Sequence, residues 1–286
     1  MNTRLISTIA GLRRTLAPAR RQGTRIGFVP TMGALHSGHV RLIEAARDEC
    51  GLTVVSIFVN PTQFDRNDDF ERYPRPLESD LETCRQSGAA IVFAPSPREM
   101  YGPGSAVCVE PGPIAEHLCG RFRPGHFRGV ATVVLKLFNI VQPHAAYFGE
   151  KDFQQLALIR RMVDELNVDV EVRPVATVRE PDGLALSSRN RHLSSPERAA
   201  APVIHQSLLA ARSLIEDGTR DPDQVRRAAA ALVEANPLCR VEYIDIVDPA
   251  SIEPVNAILG PVRIAAAVWI GATRLIDNLE ALPPPT

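Results

Sequence analysis

The sequence predicts an α/β protein with a doubly wound parallel sheet, followed by a smaller α+β C-terminal domain. In residues 1–177, short apolar runs rich in β-branched side chains alternate with helical patterns. Such alternation implies crossover connections and a sheet that is covered on both faces. Residues 178–286 differ, because two proline-initiated helical patterns precede three consecutive strand patterns. We therefore expect a Rossmann-like domain over 1–177 and an α+β domain over 178–286.

The predicted sheet of the first domain begins at residues 25–29, an apolar run that leads into a glycine-containing turn and a helix at 38–49. Residues 53–59 are apolar or small and predict a fully buried strand. The remaining predicted elements are helix 77–87, strand 89–93, helix 130–141, strand 145–148, helix 153–167 and the β-rich segment 168–178. Ligands of such sheets bind beyond the carboxyl ends of the strands, so the turns at those ends are the candidate functional positions.

The second domain is predicted to open with a helix, because Ser195 and Pro196 supply an N-cap and a proline at the first helical position. An alanine-rich run continues this pattern to residue 216. Asp221 and Pro222 give the same signal for a second helix that ends at residue 236. Three strands are then expected, at 241–247, 263–269 and 273–277.

The composition is that of an ordinary globular protein, with 286 residues, 45% of them hydrophobic and 23% charged. A formal net charge of −1 supplies no overall electrostatic field that would attract nucleic acid or an anionic membrane surface. No apolar stretch reaches about 18 residues, so no membrane span is expected, and residues 1–22 lack the apolar core of a signal peptide.

The five cysteines are widely spaced without a Cys-x-x-Cys pair. Reduced thiols in a cytoplasmic protein are the expected state.

The most informative segment is Pro-Thr-Met-Gly-Ala-Leu-His-Ser-Gly-His at residues 30–39, between the first predicted strand and the next helix. Unpaired N–H groups at a helix start favour anions, and the side chains of His36 and His39 add donors for charge that grows on phosphorus. His-x-x-His alone also fits two surface histidines or half of a zinc site. The flanking strand and helix favour a polyphosphate site.

Polar side chains also follow the second strand and precede the apolar helix at 130–141. Asn60 and Gln63 offer carboxamides that suit a ligand with hydroxyl and carboxylate groups, although a solvated proline turn fits equally well. Residues 121–129 gather three arginines and a histidine. Clustered guanidiniums bind carboxylate or phosphate, and a surface basic patch is the alternative.

A second junction of strand, glycine and helix follows residue 148. It places Lys151 where its charge reaches phosphate, and Asp152 where it accepts from a ribose hydroxyl or supports a divalent ion. Gln155, one turn into the helix, faces the same crevice, while helix capping explains Lys and Asp at such a position equally well. Residues 186–190, Leu-Ser-Ser-Arg-Asn, suit a mobile anion clamp or an ordinary interdomain linker.

Taken together, these stretches resemble the pantoate–β-alanine ligase family of the nucleotidylyltransferase superfamily. The likeness runs from about residue 25 to 193 and continues more loosely in Val-Glu-Tyr-Ile-Asp and Leu-Ile-Asp-Asn near the end. It rests on five motifs in one order: Pro-Thr-Met-Gly-Ala-Leu-His-Ser-Gly-His, Ser-Ile-Phe-Val-Asn-Pro-Thr-Gln-Phe, Arg-Pro-Gly-His-Phe-Arg-Gly-Val, Phe-Gly-Glu-Lys-Asp and Ser-Ser-Arg-Asn. Ser37 stands where the family often has an acidic residue, and Leu186 where it often has methionine. Neither departure removes a group that the chemistry needs.

The resemblance implies a ligation in two steps. The carboxylate of pantoate attacks the α-phosphorus of Mg-ATP, which gives pantoyl adenylate and pyrophosphate. The amine of β-alanine then attacks the acyl carbon, which gives pantothenate and AMP. The resemblance also implies a homodimer, with Mg²⁺ carried mainly on the ATP phosphates.

Site residues are implied by matching motif positions. Catalytic roles fall on His36, His39 and Lys151, with His39 either as a proton donor or as a donor that only stabilises charge. The implied ATP-binding residues are Met32, Gly33, Ala34, Leu35, His36, Ser37, Gly38, His39, Gly149, Glu150, Lys151, Asp152, Val178, Leu186, Ser187, Ser188 and Arg189. The implied pantoate- and β-alanine-binding residues are Asn60, Gln63, Arg123 and Gln155.

Three other functions remain open at this point. A nucleotidylyltransferase that transfers a nucleotide and stops fits the histidines and the Ser-Ser-Arg segment, but it leaves Gln63 and Gln155 unexplained. A non-catalytic nucleotide-binding regulator would bind ATP without releasing pyrophosphate. A metal hydrolase built on His36 and His39 lacks a third ligand at suitable spacing.

Overall fold

The computed structural model describes residues 3–64 and 67–285, with only the backbone course described for 67–69. Residues 1, 2, 65, 66 and 286, which the predicted domains include, lie outside the described residues. In chain order the elements are β1 (Arg4–Ile6), α1 (Ile9–Arg21), β2 (Ile26–Thr31), α2 (Ser37–Glu49), β3 (Leu52–Ile57), α3 (Asn67–Arg72), α4 (Leu77–Ser87), β4 (Ile91–Phe93), α5 (Pro97–Met100), α6 (Leu118–Phe122), α7 (His126–Val141), β5 (Ala145–Gly149), α8 (Phe153–Glu165), β6 (Glu171–Val175), α9 (Ser195–Ala200), α10 (Val203–Glu216), α11 (Pro222–Glu234), β7 (Cys239–Val247), β8 (Val262–Ile270) and β9 (Thr273–Ala281). Short 3₁₀ turns lie at Pro61–Gln63, Gly112–Ala115, Glu150–Asp152 and Ser188–His192.

Six parallel strands form one sheet in the order β1-β4-β3-β2-β5-β6. Its central strands are the continuous apolar runs of the sequence, and Phe28, Val29, Val54 and Val55 are completely buried. The predicted Rossmann-like parallel sheet is confirmed. The chain builds outward from β2 through β3 to β4 and then returns to place β5 on the other side of β2. This reversal creates a crevice beyond the carboxyl ends of β2 and β5, where sheets of this type bind ligands.

Helices cover both faces of this sheet. On one face, α2 and α4 contribute Ile43, Ala46 and Cys84 to an apolar cluster with Val29 and Val55. On the other face α7 packs its Phe138 edge-on against two strand phenylalanines, with ring centroids 6.4 Å apart in both pairs. This arrangement matches the covered sheet that the alternating sequence pattern predicts.

The first helix and strand were not among the predicted elements. β1 pairs in parallel with β4, and α1 is capped by Thr8, whose hydroxyl accepts from the Gly11 N–H at 3.2 Å. Leu12 and Leu16 form its buried stripe and are completely inaccessible. The arginine-rich composition of this segment masked a short amphipathic helix with only two fully buried positions.

The C-terminal residues form a three-stranded antiparallel sheet in the order β7-β8-β9, against which α10 and α11 pack. The strands match the predicted ones, with the third extended to Ala281. The helix predicted from residue 195 to 216 is wrong as one element, because it is divided into α9 and α10. Pro202 causes the break, since it has no N–H for the helical ladder and its ring crowds the preceding turn.

The chain divides into two compact units. The first comprises the described residues of Met1–Ala115, Arg123–Glu150 and Leu158–Ala176, and the second those of Glu116–Phe122, Lys151–Ala157 and Thr177–Thr286. The division into domains after residue 177 stays a prediction. Within the part of the chain that the structure describes, no helix combines the length and apolar character needed to cross a membrane.

Candidate active site

The turn after β2 is held in shape by its own hydrogen bonds. The Thr31 hydroxyl donates to the carbonyl of Ser56 at 2.7 Å and accepts from the Gly33 N–H at 3.2 Å. Gly33 has φ +84°, and a Cβ there would lie 2.8 Å from a carboxylate oxygen of Asp80. Glycine is therefore required at this position by both conformation and space.

Asp80 fixes the same turn from a different helix. Its carboxylate accepts from the Ala34 N–H at 2.9 Å and from the Leu35 N–H at 2.8 Å, and the residue is only 2% exposed. Two hydrogen bonds to one buried carboxylate hold these amides in a single orientation. The residues leading to His36 are thus placed by a side chain that the sequence analysis did not single out.

His36 and His39 form the start of α2. His36 is the N-cap, and its Nδ1 accepts from the Gly38 N–H at 3.1 Å, while Nδ1 of His39 accepts from the His36 N–H at 3.3 Å. Because each Nδ1 is an acceptor, the ring proton of each neutral imidazole resides on Nε2. The two rings lie with centroids 4.1 Å apart, so the helix start carries a close pair of imidazoles.

Asn60 is buried and fully engaged within the first unit. Its Nδ2 donates to Gln63 Oε1 at 3.1 Å and to the Gly129 carbonyl at 3.2 Å, and its Oδ1 accepts from the Tyr101 hydroxyl at 2.8 Å. Burial raises the pKa of Tyr101, which keeps its hydroxyl a donor. Asn60, at 1% exposure, therefore orients Gln63.

Gln63 lies at the centre of the polar cluster in this unit. Its Nε2 donates to the thioether sulfur of Met32 at 3.0 Å. The main-chain carbonyl of Gln63 accepts from His126 Nδ1 at 2.7 Å, so His126 Nε2 is an acceptor and takes a hydrogen bond from Arg123 at 3.2 Å. The structure thus brings the predicted residues Met32, Asn60, Gln63 and Arg123 together.

A close approach of the backbone supports this cluster. A Cβ at Gly129, in the first turns of α7, would lie 2.3 Å from the Thr62 carbonyl oxygen. Only glycine lets α7 pack this tightly on the Pro61–Gln63 turn. The turn that carries Gln63 is therefore positioned by helix contact as well as by hydrogen bonds.

A cavity of about 220 Å³ opens beside Met32 at the carboxyl ends of the central strands. Most of its lining is apolar, with Ile57, Phe58 and Leu77 among the contributing side chains. It has room for a small branched aliphatic group beside Met32.

The junction after β5 begins in the first unit with Gly149 and Glu150 and continues into the second unit. There the Lys151 ammonium lies 3.9 Å from Asp152, and the Lys151 carbonyl accepts from Asn278 Nδ2 at 3.0 Å. Gln155 is half-buried in the first turn of α8. The neighbouring Gln154 bonds to main-chain groups of the Glu116–Phe122 segment.

The predicted clamp lies within the second unit. Val178 and Leu186 are paired through their main chains, with the Leu186 N–H donating to the Val178 carbonyl at 3.0 Å. Ser187 caps the following 3₁₀ turn and accepts from the Arg189 N–H at 3.2 Å. The side chain of Arg189 is exposed, as a residue that meets a soluble anion needs to be.

Several residues of this site were missed by the sequence analysis. Asp80 has no local signal, because an acidic residue in the first turn of a helix is explained by the helix dipole. Tyr101 also gives none. His126 stood inside a quoted motif but was assigned no role. Among the described residues no group of three or more His, Cys, Asp or Glu side chains is arranged to hold a metal ion.

The fold and its crevice define a class: an α/β protein with a Rossmann-like parallel sheet, with paired histidines at the helix start that follows a central strand. Within that class, comparison with known proteins identifies one family. The model of the pantoate-beta-alanine ligase family matches residues 4–280, and the chain belongs to that family.

Similar proteins and structures agree with this membership. The chain is 51% identical to a pantothenate synthetase of Moorella thermoacetica over 275 residues, covering 96% of this chain and 97% of the other. A pantothenate synthetase crystal structure from Thermus thermophilus superposes with a TM-score of 0.91 at 47% identity, covering 98% of this chain and 100% of that one. A pantoate-beta-alanine ligase from Francisella tularensis, complexed with beta-gamma ATP and beta-alanine, gives a TM-score of 0.80 at 35% identity and covers 97% of both chains.

Proposed function

We propose that this protein condenses pantoate with β-alanine at the expense of ATP, through a pantoyl-adenylate intermediate, and releases AMP and pyrophosphate. The single observation that carries the proposal is the family match over residues 4–280. A carboxylate oxygen is a poor leaving group, whereas AMP leaves readily, so adenylation is what makes the acid reactive toward an amine. The Francisella relative complexed with beta-gamma ATP and beta-alanine supports the substrate class.

His36 and His39 are assigned to the phosphates of ATP in the first step. Displacement at the α-phosphorus requires positioning and charge stabilisation more than covalent help. Both Nδ1 atoms accept backbone hydrogen bonds, so the ring proton of each neutral imidazole is on Nε2. Complete transfer of the Nε2 proton from such a neutral ring would leave an imidazolate. This favours hydrogen-bond donation to developing charge over full proton transfer as the role of His39.

Gln63 is assigned to pantoate, with Asn60 as the residue that orients it. Because Asn60 engages Oε1, the Nε2 group of Gln63 points toward Met32, whose sulfur is a weak acceptor. A carboxylate or hydroxyl oxygen is a better partner for that donor. The apolar cavity beside Met32 is the expected place for the dimethyl portion of pantoate. Arg123 is assigned to support near the acid or amine.

The second unit supplies the remaining assignments. Lys151, Ser187, Ser188 and Arg189 are assigned to phosphates, and Asp152 to the ribose, with Gly149 and Glu150 preceding them in the same motif. Val178 and Leu186 are assigned to flank adenine, and their main-chain hydrogen bond holds the two residues next to each other. Gln155 is assigned to pantoate, together with Gln63.

The proposal also includes Mg²⁺ as part of the Mg-ATP substrate, a homodimer and a cytoplasmic location. These follow from the family resemblance and the widely spaced cysteines, all five of which are free thiols. Light scattering of the purified protein across a concentration series tests the dimer directly.

The decisive experiment is pyrophosphate exchange. With ATP, Mg²⁺ and pantoate but no β-alanine, labelled pyrophosphate should be incorporated into ATP, because the adenylate forms reversibly before the amine is needed. Adding β-alanine should give one pantothenate and one AMP for each ATP. Pantothenate formation without exchange would exclude the adenylate route. ATP binding without exchange or product would instead indicate a non-catalytic nucleotide-binding regulator.

A further inference from the structure

Two adjacent residues of β9 each hold one of the elements that the proposed function assigns to ATP. Asp277 and Asn278 are 4% and 5% exposed, yet neither was assigned a role by motif. Successive residues of a strand point to opposite faces, so the two side chains reach different neighbours. All of these neighbours belong to the second unit.

Asp277 anchors the segment that leads to the clamp. Its carboxylate accepts from both terminal nitrogens of Arg179, at 2.6 and 2.9 Å, and from the Asn278 N–H at 2.8 Å. Arg179 also donates to the Gly183 carbonyl at 3.0 Å, across a hairpin in which Arg179 bridges to Ala185. The hairpin ends directly at Ser187, so the ion pair fixes the point from which the clamp begins.

Gly183 is additionally pressed against a helix of the same unit. A Cβ there would lie 2.5 Å from Cδ2 of His205, and its φ is +91°. The hairpin is thus held by a bidentate ion pair and by a contact that only glycine permits.

Asn278 anchors the other element. Its Oδ1 accepts from Arg263 at 3.3 Å, which leaves Nδ2 to donate to the Lys151 carbonyl at 3.0 Å. The Arg263 guanidinium lies over the Phe153 ring, 4.1 Å from its centroid, two residues beyond Lys151. The amide orientation is therefore determined, and a carboxylate at 278 would turn an acceptor toward the Lys151 carbonyl.

Stability alone does not require this arrangement. Burying an ion pair costs hydration free energy that the attraction between the two charges barely offsets. A protein with an apolar pair of similar size in the same place is often as stable. A bidentate pair gives fixed geometry that an apolar pair does not.

We propose that Asp277 and Asn278 are positioning residues that keep Lys151 and the Ser187–Arg189 clamp in register for one ATP molecule. This inference rests on the proposed function. Asn278 sets the main chain of Lys151, and Asp277 sets the clamp through Arg179. Neither side chain is required to touch substrate.

The test compares Asp277→Asn and Asn278→Asp with Glu253→Gln, a control that removes an exposed charge from the same unit. Asn278→Asp should lower kcat about tenfold to a hundredfold, the usual effect of misplacing a charged group by about 1 Å, with the KM for pantoate unchanged. Asp277→Asn should raise the KM for ATP by about tenfold. It should also uncouple the reaction, so that AMP exceeds pantothenate, because a loose clamp admits water to the adenylate.

A double variant separates positioning from simple stability. Arg179→Met with Asp277→Leu replaces the ion pair by an apolar pair and should recover the thermal midpoint lost in Asp277→Asn. The positioning role requires that the raised KM for ATP and the excess of AMP persist in this double variant although its stability is restored. Recovery of both along with stability would overturn it, as would wild-type kinetics in either single variant. Pantoate-dependent pyrophosphate exchange by the wild-type protein reports on the proposed function separately.

Discussion

Asp80→Asn is the sharpest test of how the histidine-bearing turn is held. The carboxylate accepts from two buried main-chain N–H groups, at 2.9 and 2.8 Å. An asparagine keeps one acceptor oxygen but turns an NH₂ group toward the other N–H donor. The substitution therefore breaks one hydrogen bond, weakens the second from a charged to a neutral acceptor, and leaves a buried donor unpaired.

The expected loss follows from those three changes. A hydrogen bond to a charged group contributes about 1.5–3 kcal/mol, and a buried donor without a partner costs about 1–3 kcal/mol. Since these terms overlap, we expect the free energy of unfolding to fall by about 2–5 kcal/mol. Release of Ala34 and Leu35 should also displace the start of α2. A shift of about 1 Å in His36 and His39 should lower kcat about a hundredfold.

Urea unfolding followed by circular dichroism measures the stability change, and pantothenate formation measures the rate. Glu78→Gln is the matched control, because Glu78 lies in the same first turn of α4 but is exposed. It should cost at most about 1 kcal/mol, the size of a helix-dipole effect. Equal stability and activity of the Asp80 and Glu78 variants would refute the assignment of Asp80 as the holder of this turn.

Three further predictions concern the site and its motion. His39→Ala and Lys151→Ala should each lower turnover by about 100- to 1000-fold, as loss of a transition-state donor does, and near-normal steady-state rates would contradict their assignment. Gly129→Ala should lower the free energy of unfolding by about 1–3 kcal/mol, because its Cβ would lie 2.3 Å from a main-chain oxygen. Gly102→Ala is the control in the same unfolding experiment, because a Cβ there meets only open space. Hydrogen exchange of residues 183–192 should slow when ATP and pantoate bind together, and equal exchange with and without both ligands would end the clamp idea.

The features that local sequence predicts well are those built from neighbouring residues. The strands at 26–31 and 52–57 are continuous apolar runs, and the helix at 37–49 has a regular buried stripe. Because the carboxyl ends of parallel strands share one edge of a sheet, the sequence predicts that the turns bearing His36 and Gln63 lie together. Their residue types then indicated an anion and a polar acid as ligands.

The features that escaped prediction depend on contacts between distant parts of the chain. Asp80 meets Ala34 across 46 positions, and Arg179 meets Asp277 across 98. Nothing in the local pattern of either segment distinguishes a buried acceptor from a solvated one. The break at Pro202 differs from these, because it has a local cause: a proline inside an alanine-rich helical pattern removes an N–H from the helical ladder.

The chain passes between its two compact units five times, after residues 115, 122, 150, 157 and 176. One cut after residue 176 would therefore not release two intact modules. The N-terminal fragment would retain 116–122 and 151–157 while losing the strand whose Asn278 holds Lys151. Chimaeras between relatives should exchange those inserted segments together with the C-terminal block, since a single crossover would pair one parent's lysine segment with the other parent's anchoring strand.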